Sequence, residues 1–128
     1  MADSVRALRF GWWALAVGYA THCVAHVFMW GETPVGVRAG GTLAVVLVVV
    51  VRVMIDRGNA ASGLALAVLG AALAAGLLLV HLPGYWGPFS QPWRGQVNLA
   101  CWVTLGAAVA GGIAASVVAG RRVLVDQR

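Results

Sequence analysis

Three histidines are the only side chains in this sequence that can offer an imidazole nitrogen to a metal. Two of them, His22 and His26, stand four residues apart. On a helix that spacing puts both rings on one face, one turn apart. His81 can supply a third nitrogen to the same ion, and Glu32, just beyond the first apolar run, an oxygen. The donor types suit copper or zinc. The alternative is haem b, with His22 or His26 paired with His81 as axial ligands between two helices. No further motif separates the two.

The rest of the chemical inventory is thin. Cys23 and Cys101 form no CxxC pair, so thiol-redox and zinc-finger spacings are excluded. They are expected to act as small apolar residues rather than as a disulfide. The sequence contains no nucleotide-binding loop, no carboxylate pair and no Ser/His/Asp set at one depth, so hydrolytic catalysis is not expected.

The elements that position these residues follow from composition. The chain has 128 residues, 61% apolar and 10% charged, where a soluble domain carries about a quarter charged. That is too little charge to cover a surface facing water. The apolar residues also cluster into long runs, as a bilayer-spanning chain requires. We expect an all-α integral membrane four-helix bundle, a single domain over 1–128. Its spans are placed at about 10–30, 39–55, 60–82 and 97–120. The first run is too long for a cleaved signal and is read as a retained span. The second is the shortest: Arg38 and Arg52 enclose only roughly 20 Å of helix, so both must reach towards headgroups.

All nine basic residues are Arg, and the net charge is +5. They sit singly or in pairs at the ends of apolar runs, which argues for topology rather than nucleic acid. Arg6, Arg9, Arg52, Arg57, Arg121, Arg122 and Arg128 fall on one side, Arg38 and Arg94 on the other. That split predicts a multi-pass protein of the cell membrane with both termini cytoplasmic.

Helical periodicity then orders the faces. Gly11, Leu15, Gly18, His22, His26 and Met29 share a stripe on the first helix, opposite a lipid face of Trp13, Val17, Ala20, Val24 and Val27. The third helix presents Gly63, Ala67, Gly70, Ala74, Leu77 and His81. The fourth presents Asn98, Cys101, Ala108, Gly112, Ala115 and Ala119. Small-residue stripes allow close approach, so the first and third helices are predicted to pack through Gly18 and Gly70. In this topology the three histidines converge on one layer, with Asn98 and Cys101 nearby. The loop carrying Tyr85, Trp86, Phe89, Trp93 and Arg94 lies above them, as a lid, a quinone contact or an interfacial aromatic belt.

For function, an accessory or anchor subunit ranks first, partnered by lipid and by other membrane subunits or further copies of itself. A haem- or metal-binding redox protein using the histidine layer is the alternative. A small transporter or channel comes third, because no span carries Asp, Glu or Lys in its central turns.

Overall fold

The computed structural model describes residues 2–126, and the side chains of 5–124. Arg128, counted above for topology, lies outside the described residues. Four helices run α1 (Ala2–Phe28), α2 (Val35–Asp56), α3 (Ser62–His81) and α4 (Leu99–Asp126), with no strand among the described residues. The chain is thus an all-α four-helix bundle. Three helices, α2, α3 and the Leu99–Leu124 part of α4, are long and apolar enough to cross a membrane. α1 is long enough, at about 40 Å, but Arg6, Arg9, Thr21, His22 and His26 dilute its apolar character.

The helix α2 extends beyond the span read from sequence: it starts directly after Pro34 and runs for 22 residues, about 33 Å, with Arg38 and Arg52 both inside it. Its other end closes on Gly58, at φ +64, whose N–H reaches Ile55 O at 3.1 Å while Asn59 N–H reaches Met54 O at 2.9 Å. That left-handed turn suits glycine, which carries no Cβ. α4 continues through Arg121 and Arg122 to Asp126. Paired arginines can end a membrane span, but they are good helix formers and do not end a helix.

Helix ends define two poles. At one, Arg9 and Arg52 both hold the Asp56 carboxylate, at 3.0 and 2.7 Å, tying α1 to α2. At the other, the 82–98 loop folds over the ends of α1 and α3 and the start of α2. We call these the Asp56 end and the loop end.

α4 is the element that the other two interior helices share. A Cβ on Gly18 of α1 would lie 2.5 Å from Ala107 O, and one on Gly70 of α3 would lie 2.5 Å from Gly112 O. Both close contacts are to α4, so the expected direct packing of Gly18 against Gly70 is wrong. Adjacent glycines on α4 serve the two neighbours: Gly111 faces Ala14 and Leu15 of α1, and Gly112 faces Gly70 and Ala74 of α3. Consecutive helical residues point about 100° apart, so one Gly-Gly step gives close approach in two directions. Ser116 Oγ adds a hydrogen bond to Ala67 O at 2.9 Å.

The two faces assigned to α1 hold. Gly11, Leu15, Gly18 and His22 are buried, whereas Trp13, Val17, Val24 and Val27 are 53–65% exposed. Leu15, Val48, Ile55, Leu66, Leu69 and Ala115 fill the core towards the Asp56 end. Tyr19, Leu77, Trp93, Leu105 and Ala108 fill it at the loop end. α2 is held more loosely. Its outer face of Val45, Val46, Val49 and Val50 is exposed, and two α1 side chains grip its backbone. Trp12 Nε1–H donates to Val48 O at 2.7 Å, and Tyr19 O–H donates to Gly41 O at 3.1 Å. A surface this apolar needs lipid around it.

Candidate metal centre

The loop end brings together residues distant in sequence. His22 and His26 lie one turn apart on the inward side of α1, and His81 is the last residue of α3. His22 Nε2 is 3.2 Å from His26 Nε2 and 3.2 Å from His81 Nε2. One nitrogen from each ring lies within 4.8 Å of the other two. His22 and His81 are buried, at 2% and 0% exposure.

The outward-turned ring nitrogens decide what the inward ones can be. His81 Nδ1 is 2.9 Å from the Gln91 carbonyl, which can only accept, so Nδ1 carries the proton and Nε2 the lone pair. His26 Nδ1 is 3.3 Å from Thr33 Oγ1, whose own hydrogen goes to Met29 O at 3.0 Å. Thr33 therefore accepts as well, and the neutral His26 also turns its Nε2 lone pair inward. Two lone pairs thus face His22 Nε2. A proton there can serve one of them well and leaves His22 Nδ1, buried and without a partner, as a bare lone pair. A proton on His22 Nδ1 instead leaves three lone pairs facing one another. Neither placement satisfies the group, and a buried unsatisfied nitrogen costs about 1–3 kcal/mol.

The loop builds this arrangement through backbone bonds. Gln91 N–H donates to Val80 O at 2.9 Å and Trp93 N–H to His81 O at 3.1 Å, covering carbonyls that α3 leaves open at its C-terminus. The same return brings Gln91 O to His81 and lays Trp93, fully buried, against its ring with centroids 4.0 Å apart. Trp93 also packs near His22 and His26, at 5.3 and 5.6 Å.

The other expected site residues do not join the histidines. Glu32 is exposed and lines a separate cavity of about 420 Å³ between α1 and α4, with Asn98 and Cys101. Asn98 is exposed too and caps α4, its Oδ1 accepting the Cys101 N–H at 3.1 Å. Its place on the fourth-helix stripe resulted from extending helical periodicity one residue past the helix start. Cys23 and Cys101 are both free thiols. Tyr85, Trp86 and Arg94 are exposed, so the loop divides: Ser90, Gln91 and Trp93 are buried against the site, and Tyr85, Trp86, Phe89 and Arg94 form an exposed rim.

Sequence reasoning missed Thr33 and Gln91. Thr33 lies beyond the end of α1, in the 29–33 turn, so helical periodicity could not place it. Gln91 had no signal, because it acts through a carbonyl that every residue possesses.

A second feature adjoins the histidines. They form part of the wall of a partly open cavity of about 320 Å³ bounded by α1, α2, α3 and the loop. Tyr19, Ala44, Leu73 and Leu77 lie along its deeper part, and Thr33, Arg38 and Phe89 at the loop end. Glycines keep it open: a Cβ on Gly40 or Gly76 would meet nothing within 4 Å. Comparison with protein-family models, curated proteins and solved structures finds no match to this chain, so the site stands on its own geometry.

Proposed function

We propose that this chain is an integral membrane protein that holds one transition-metal ion, copper or zinc, on the Nε2 atoms of His22, His26 and His81. The observation that carries the reading is the convergence of ring nitrogens whose protons are drawn to the far side by Thr33 and Gln91. Two imidazole donors about 2.0–2.1 Å from a tetrahedral ion lie about 3.3–3.4 Å apart, and the two separations of 3.2 Å suit that geometry. Thr33 and the Gln91 carbonyl act as the outer partners that orient metal-binding histidines. The cavity side supplies an open fourth position, which distinguishes a working centre from a closed structural one.

Haem b fits less well. Two axial imidazoles must stand about 4 Å apart with a flat macrocycle between them. Here the gap between His22 and His81 is 3.2 Å, and Trp93 and His26 crowd it. A purely structural anchor has no use for two inward lone pairs aimed at a third buried imidazole and would be better served by apolar side chains. The accessory-subunit reading therefore falls behind the metal reading.

The test is elemental analysis of protein purified in detergent, offered copper and zinc salts separately and then desalted. One ion per chain is expected, with loss in His22→Ala and His81→Ala. Copper loading should give a nitrogen-rich paramagnetic spectrum in its divalent state. A wild-type protein that retains neither ion would refute the assignment.

A further inference from the structure

We infer that the cavity beside the histidines is the binding site of a single-chain amphiphile with an oxyanionic head, such as a medium-chain carboxylate. The head lies between the histidine wall and Arg38, and the tail runs down towards Ala44 and Leu73. The inference deepens the metal reading and rests on it for one of its two charge arguments.

The first charge argument concerns the ion. Three imidazoles are neutral donors, and no carboxylate stands among them. A cation there keeps its full charge in surroundings of low dielectric, which is costly unless an anion joins it. All three histidines line this cavity, so an anion lodged in it can reach the ion. The second argument is independent of the metal. Arg38 lines the same cavity, stacks over Trp30 at 5.0 Å, and forms no ion pair among the described residues. Guanidinium groups suit carboxylates and phosphates, which they can bind through two parallel hydrogen bonds.

The shape of the cavity selects an amphiphile rather than a small anion. Polar groups gather at the loop end, and the deeper wall is apolar. This is the order of head and tail in a lipid standing in a leaflet. At about 320 Å³ the cavity is far larger than a small anion needs and has room for a chain of medium length. Decanoate has a matching size. The glycines at 40 and 76 keep that volume clear on two helices that otherwise carry bulky apolar residues.

The experiment is calorimetric titration of the protein in lipid nanodiscs with decanoate, decanol and acetate, with bound metal measured on each sample. Decanoate should bind one per chain. Decanol and acetate should each bind at least about tenfold more weakly, one lacking the charge and the other the tail. Arg38→Gln should remove most of the preference for decanoate over decanol. Gly76→Leu should abolish decanoate binding while leaving the metal content at the wild-type level, because its side chain enters open space. Gly40→Leu offers the same test on α2 should Gly76→Leu fail to fold. Equal binding of decanol and decanoate, acetate matching decanoate, or full binding in a folded cavity-filling variant would overturn the assignment. Decanoate binding with no metal in any sample would remove the metal reading and leave the amphiphile site supported by Arg38 and the cavity.

Discussion

Replacing Thr33 by Val tests the proposed metal centre without touching a proposed ligand. Thr33 is buried at 3% exposure, and Val has nearly its shape, so packing changes little. What is lost is the oxygen that accepts from His26 Nδ1 at 3.3 Å. Without it, the N–H that holds His26 in its metal-binding tautomer is buried with no acceptor, at a cost of about 1–3 kcal/mol. The ring can recover by moving its proton to Nε2, but that blocks the lone pair the metal needs. Either route should lower metal affinity by about 10- to 100-fold, the range usual for a lost outer partner. The assay is competition for the metal against a chromogenic chelator, with thermal unfolding of the metal-free protein recorded beside it. Thr33→Ser keeps the oxygen and should remain close to wild type. Thr33→Val binding as tightly as wild type, in a protein that still folds, would mean that the His26 tautomer is not set by Thr33. The proton argument for the site would then fail.

Acid should release the ion, since all three imidazoles must be neutral to ligate it: affinity should fall as pH is lowered, followed by the same chelator competition across pH. Gly70→Leu should destabilise the bundle by about 1–3 kcal/mol by overpacking, because backing a Cβ away from Gly112 O at 2.5 Å to ordinary contact parts α3 from α4 by about 1 Å. Thermal unfolding in detergent measures this, with Gly76→Leu as the side chain that meets no neighbour. Reporters fused near the N-terminus, at Gly58 and at the C-terminus should read the cytoplasmic side, and one at Gly87 the opposite side, as the arginine distribution predicts. Absorption spectra of protein expressed with haem available should show no Soret band, because the gap between His22 and His81 admits no macrocycle.

The sequence by itself determined the helices, their apolar faces and the shared depth of the histidines. Burial in lipid or in the core is imposed residue by residue along a 3.6-residue period, so the Trp13–Val27 face and the His22 face were separable without coordinates. Chain reversal at the 31–34 break and again at the short 57–61 turn then brings His81 level with His22 and His26. Partnering was decided only by tertiary structure. Stripes of glycine and alanine look alike on every helix, and nothing in Gly18 or Gly70 announces that α4, rather than each other, is their neighbour. Loop residues have no period to read, so Trp93 could not be told from Tyr85 or Trp86 until backbone bonds to Val80 and His81 folded it inward. The chemistry of the centre depends on that same fold. Which imidazole nitrogen keeps its proton is set by Thr33 Oγ1 and the Gln91 carbonyl, and a carbonyl has no signature in the residue type that carries it.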